Sequence, residues 1–153
     1  MTAPISFPST TKHVSLPLLF AGQAQKEFFI NESLSVIDAL LPSIVAGSLA
    51  APPAQSEEGS IFRITAGATL EWAGHDDELA MQIGGEWRFV TPFEGMTVFD
   101  QTNGVLLHFR SGWQSASSPN EPSGGAVIDT EARQMLSELV NSLRMLGVFP
   151  SAE

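Results

Sequence analysis

Between residues 22 and 41 the apolar positions Ile30, Leu34, Ile37 and Leu41 recur at helical spacing. Glu27, Asn31, Glu32 and Asp38 fall on the other faces, so a helix with one core-facing stripe is predicted. Pro42 stops it, since proline cannot continue a helix. A second apolar stretch, residues 44–49, runs into Ala50-Ala51-Pro52-Pro53, which reads as a rigid link. The period then changes to two. Leu79, Met81 and Ile83 alternate with Ala80 and Gln82, and Val105, Leu107 and Phe109 alternate with Leu106 and His108. Gly84-Gly85 and Asn103-Gly104 suit hairpin turns, because both favour positive φ. Residues 60–113 therefore read as short strands of an antiparallel meander. Near the end the helical period returns: Ala132, Leu136, Leu139, Leu143 and Leu146 are spaced 4, 3, 4 and 3, a short heptad seam. Asp129 or Thr130 serves as N-cap, Glu131 favours the helix start, and Gly147 is placed to end it.

The regions outside these elements complete the layout. Pro4, Pro8 and Pro17 break any helix in residues 1–19, which read as an extended arm. Ser, Pro and Gly dominate residues 114–128, which read as a flexible linker. The expected organisation is arm 1–19, helix plus meander 20–113, linker 114–128 and oligomerisation helix 129–149. The expected fold class is α+β: an N-terminal helix packed with a small antiparallel β-meander, then the linker and a C-terminal coiled-coil helix. Residues 79–87 and 105–113 also share a weak repeat, an apolar strand and a Gly-containing turn followed by Trp. Two hairpins that each place a Trp near the start of the return strand account for it.

Composition narrows the function classes. Seven Lys+Arg against seventeen Asp+Glu give 153 residues a net charge of −10. So few cations form no patch for a phosphate backbone or an anionic membrane surface, and no nucleic-acid partner is expected. Zero Cys removes disulfides, thiol catalysis and thiolate metal sites. No apolar stretch approaches the ~18 residues that cross a bilayer, so no membrane insertion is expected. Met1-Thr2-Ala3-Pro4 lacks the basic and apolar regions of a cleaved leader, and a soluble protein not exported through one is expected.

Candidate chemistry is sparse. His75-Asp76-Asp77-Glu78 is the densest group of metal-ligating or acid/base side chains, yet its order lacks EF-hand spacing, and a solvated acidic turn explains it. His13 and His108 have no neighbours that suggest a ligand set. No zinc-protease, nucleophile-elbow or phosphate-loop motif occurs. No catalytic residue, metal or cofactor is therefore assigned. Trp72, Trp87 and Trp113 remain: their flat faces either fill a core or an interface, or stack on sugar rings. The polar run Gln23-Ala24-Gln25-Lys26 reads as a tie between the first helix and its surroundings. The seam is too short to stand alone, so it either docks on the domain or self-associates; Leu at both core positions leaves the number of strands open.

Several motifs then occur in order: Leu16-Pro17, Ala21-Gly22-Gln23-Ala24-Gln25-Lys26, Asn31-Glu32, Asp38-Ala39-Leu40 and Ala51-Pro52-Pro53. Gly59, Gly67-Ala68-Thr69, Trp72-Ala73-Gly74-His75, Gly85-Glu86-Trp87-Arg88-Phe89, Pro92-Phe93-Glu94-Gly95 and Gly112-Trp113 follow. This run resembles an uncharacterised domain family found in tail-fibre-like proteins of alphaproteobacterial phages, prophages and gene transfer agents. The chain departs from it at Glu27-Phe28-Phe29-Ile30, at Met96 and at Gly84-Gly85. The resemblance implies a virion fibre, spike or receptor-binding component and supplies no catalytic residues. With the seam, it leads to an expected homotrimer, made in the bacterial cytoplasm and extracellular after release. Its N-terminal region would attach to other virion proteins, and its β-domain would contact the host surface. A carbohydrate-binding module using Trp72, Trp87 or Trp113 is the alternative, with host surface polysaccharide as partner. A polysaccharide-degrading enzyme ranks behind it.

Overall fold

The computed structural model of the chain describes residues 9–19, 22, 26–120, 123–124 and 129–150. Residues 1–8 of the expected arm, Gln23-Ala24-Gln25, and residues 121–122 and 125–128 of the expected linker lie outside them. The content is mixed α+β, with two helices and two small sheets among the described residues. The chain divides into two compact units, Met1–Thr91 and Pro92–Glu153. That boundary falls inside the stretch 20–113, which the sequence groups together.

The first unit holds α1 (Lys26–Leu40), β1 (Ile44–Val45), β2 (Gly47–Leu49), β3 (Ile61–Ile64), β4 (Leu79–Ile83) and β5 (Glu86–Val90). Its sheet has the order β2-β3-β4-β5. β3–β4 and β4–β5 are antiparallel, as a meander requires, but β2 runs parallel to β3 with Gly47 opposite Phe62. The single antiparallel meander is thus corrected on two counts. Residues 50–60 form a connection long enough to return β2 in the same direction as β3. Pro92, which has no N–H to donate, follows β5 and separates the two groups of strands. Gly84 and Gly85 close the β4–β5 hairpin at φ +63° and +78°, with Ile83 opposite Glu86. A two-residue loop with both φ positive matches the twist of the strands it joins.

β4 sits between two paired neighbours and is buried on both faces at Leu79, Ala80 and Met81. On one face a single 3₁₀ turn, Leu70–Trp72, inserts Trp72 into a cluster with Ile64 and Ala80, with Phe62, Ala68, Trp87 and Phe89 around it. α1 packs on β4 from the face bearing Arg88, whose guanidinium lies 2.9 Å from Glu32. The helix is present where expected, but its buried face is rotated away from the predicted stripe, of which only Leu34 stays half-buried. Ile37 and Leu41 of the predicted core stripe are 50% and 61% exposed, Ile30 is exposed too, and the buried residues are Glu27, Asp38 and Ala39. Polar contacts turn the helix: Asn31 and Asp38 hold residues 11–19 against it, and this strap occupies the side that the apolar stripe would need.

The second unit holds β6 (Thr97–Asp100), β7 (Val105–Phe109), β8 (Trp113–Ser115) and α2 (Thr130–Met145). β6–β7 and β7–β8 are antiparallel. Val105 and Leu107 are buried while Leu106 and His108 are exposed, so the predicted alternation holds. The β6–β7 turn takes four residues, 101–104, rather than two. Buried Asp100 explains this: its carboxylate accepts the Asn103 backbone N–H and side-chain amide, both at 3.0 Å. α2 is capped as expected at both ends. Asp129 Oδ1 accepts from Ala132 N at 2.9 Å, and Gly147, at φ +71°, donates its N–H to the Arg144 carbonyl. The Gly147 carbonyl in turn accepts from Leu106 N at 2.7 Å. A Cβ there would lie 2.8 Å from Phe99 Cε2 and 3.3 Å from the Gly104 oxygen, so only glycine fits both the backbone and the space.

Candidate functional site

The three tryptophans have different fates. Trp72 is fully buried, 5.9 Å from the Phe62 ring and 5.1 Å from that of Trp87. No sugar reaches its faces, and its place as a stacking residue is withdrawn in favour of the core. Trp113 begins β8 in the second unit, half-buried and edge-on to Phe109 at 5.3 Å. Trp87 lies in β5 opposite Gln82, half-buried, with its indole N–H donated to Glu71 Oε2 at 3.1 Å.

Trp87 also lines an open groove of about 620 Å³ in the first unit. Pro52 and Pro53 form one part of its lining, Leu70 and Glu71 another, and Ser56, Gln82 and Glu86 add further polar groups. Leu70 holds φ +56°, a left-handed backbone that L-residues adopt at a cost, while its side chain is 74% exposed. The Gln82 side-chain oxygen is out of contact with solvent and has no hydrogen-bond partner among the described residues. Sequence reasoning missed Leu70, Glu71 and Gln82. A signal was available only at Gln82, a long polar side chain on a strand whose neighbours are apolar.

The acidic run 75–78 turns inward on its own loop. His75 Nδ1 lies 2.7 Å from Glu78 Oε2, the Thr91 hydroxyl donates to Glu78 Oε1 at 2.8 Å, and Asp76 Oδ1 accepts from Ala68 N at 2.8 Å. The His75 ring stacks on Phe89 at a centroid distance of 3.6 Å. These contacts fasten the loop that carries Trp72 to β5. Among the described residues no group of three His, Cys, Asp or Glu is arranged to hold a metal ion.

Asp38 is the tightest polar site in the first unit. Its carboxylate is buried and accepts from the Thr11 hydroxyl (2.7 Å), His13 N (2.8 Å) and Val14 N (2.7 Å). Burial pushes its pKa upward as the largest single influence. The two backbone amides, the Thr11 hydroxyl and the charge of His13 together outweigh it and hold the carboxyl below its ordinary 3.8. A depressed folded pKa means that the clamp's stabilisation is complete above pH 3.8 and is lost as pH falls through the lower folded value. Protection of the His13 and Val14 amides, relative to their intrinsic exchange rates, is therefore expected to fall in that acid window. Asp38→Asn should abolish the pH dependence and cost about 1.5–3 kcal/mol at neutral pH. Unchanged exchange at pH 7 in the variant would show that the strap is held by other contacts.

α2 presents the predicted seam outward. Leu136 and Leu139 are 46% and 52% exposed, Ala132 and Leu146 are exposed, Leu143 is half-buried, and no residue of the helix is buried. Met135 adds to the same apolar face. Asn141 and Ser142 lie on other faces, and the Gln134 side-chain amide donates to Glu138 at 3.0 Å.

A family model described as a protein of unknown function, DUF2793, matches residues 30–114, more than half of the chain. The chain belongs to the DUF2793 family. No curated protein matches it. The DUF2793 segment opens inside α1 and closes inside β8, so it includes the Trp87 groove and leaves α2 outside. Among the described residues no helix of this DUF2793 chain is long and apolar enough to cross a membrane.

Proposed function

We propose that this DUF2793 protein is a non-enzymatic structural component of a tailed-phage or gene-transfer particle: a tail fibre, head fibre, spike or receptor-binding-type protein. It assembles as a homotrimer through a coiled coil of α2. Its N-terminal region attaches to other virion proteins, and its β-rich part contacts the host surface. The observation that carries the assembly is α2 itself, a capped helix with a regular heptad seam and no residue buried by its own chain. A helix that leaves such a seam uncovered gains most of its stability by burying it against copies of itself. The ordered motif resemblance supports the particle setting, and the absence of Cys suits a protein that passes between reducing and oxidising surroundings.

Sedimentation equilibrium of the full chain at micromolar concentration tests the assembly. A mass three times the 16.4 kDa of one chain is the expected result. A clean monomer would sink the trimer.

A further inference from the structure

We propose that the groove beside Trp87 is a binding site for a neutral glycan chain. It deepens the host-contact reading and takes its biological setting from it, while the binding chemistry stands on the groove alone. The volume, about 620 Å³, lies within the range of ligand sites, and the groove is open to solvent.

The indole of Trp87 provides the stacking face. Trp72 supports it edge-on at 5.1 Å and 84°, and Phe62 at 6.1 Å and 72°. These neighbours and the bond to Glu71 fix the ring before any ligand arrives, so little side-chain entropy is lost on binding. Leu70 and the Pro52-Pro53 pair add apolar edges suited to the C–H faces of a sugar ring. The left-handed backbone at Leu70 keeps an apolar side chain in solvent at this rim. Strain of that kind persists at ligand sites, where the surrounding structure enforces it.

The polar groups choose the ligand class. The Trp87 N–H is already donated to Glu71, so the carboxylates of Glu71 and Glu86 give the rim its acceptors; Glu86 Oε2 also takes Arg88 Nη1 at 3.2 Å, and Ser56 adds a hydroxyl. Sugar hydroxyls supply donors to match them. A proline-rich peptide, the other common occupant of an aromatic groove, offers mainly carbonyl acceptors, which do not complement those carboxylates. No Lys, Arg or His lines the groove, and the chain carries a charge of −10, so uronate, sialylated or sulfated glycans are repelled.

The test is a titration of the full chain with maltohexaose, cellohexaose and mannohexaose, followed by the indole resonances in ¹⁵N–¹H spectra. At least one should shift the Trp87 signal saturably, with a Kd on the order of 1 mM or tighter. Trp87→Ala should weaken binding about tenfold or more, and Trp113→Ala should leave it unchanged. Leu70→Gly relieves the backbone strain, so it keeps the fold yet should bind several-fold more weakly. Three results would each overturn the proposal: no saturable shift with any of the three, full binding by Trp87→Ala, or saturation by a proline-rich decapeptide in place of the sugars. The readout is per chain. A monomer that binds sugar removes the trimer and keeps the groove, whereas a trimer indifferent to sugar does the reverse.

Discussion

Replacing Leu136 and Leu139 together with Asp should convert the proposed trimer to a monomer of 16.4 kDa. Both side chains are about half exposed in the single chain, so the exchange removes little of the chain's own core. In a three-stranded seam the same positions would lose water and meet their symmetry mates. Six carboxylates would then converge on one axis, each uncompensated charge costing several kcal/mol in a desolvated site. The leucines they replace would also forfeit roughly 1 kcal/mol of burial apiece. A short coiled coil has no reserve to absorb this. Sedimentation should show the mass fall threefold while thermal unfolding of the β-rich part stays in place. An unchanged mass would mean that the seam docks elsewhere, and a monomer that has also lost its fold would mean that α2 holds the second unit together from within.

Trp72→Ala should destabilise the first unit by about 3–5 kcal/mol, the usual cost of emptying a large aromatic site in a core. The residue is fully buried, and its ring borders both Phe62 and Trp87. A domain rarely holds more than about 5–15 kcal/mol in reserve, so this single change removes about a fifth of it or more. Urea unfolding, read through the remaining indoles, should show an early transition for the first unit, with Trp113→Ala as the control. A loss below about 1 kcal/mol would mean that the neighbouring rings collapse into the space. The same variant should weaken the proposed sugar binding indirectly, because Trp72 packs edge-on against Trp87.

Local periodicity made some elements legible and left others hidden. β4 and β7 could be read because large apolar side chains recur at every second position, Leu79, Met81 and Ile83 in one and Val105, Leu107 and Phe109 in the other, and the turn at Gly84-Gly85 because two adjacent glycines have few other uses. α2 announced both ends through Asp129 and Gly147. The orientation of α1 was out of reach, because it depends on Asp38 receiving donors from Thr11, His13 and Val14, more than twenty residues away. An apolar stripe says which residues share a face, not whether another segment has taken the other one. β2, three residues reading Gly-Ser-Leu, carries no period at all, and nothing local shows that it runs parallel to β3. The groove was half visible. Trp87 stood out by type, but the left-handed backbone of Leu70 and the bond from Trp87 to Glu71 belong to the folded chain.

Gly147 also decides how a pull on the chain would travel. Its carbonyl is bonded to the amide of Leu106, so residues 107–146 form a loop pinned at its base. Tension applied beyond residue 147 first meets the Val148 and Phe149 amides, both bonded to the Leu143 carbonyl at the end of α2, and then the pin to β7. It need not stretch the Ser- and Pro-rich residues after β8. The last turn of α2 would thus yield before the bond beside Gly147, and the load behind it would pass to the sheet rather than along the rest of the helix.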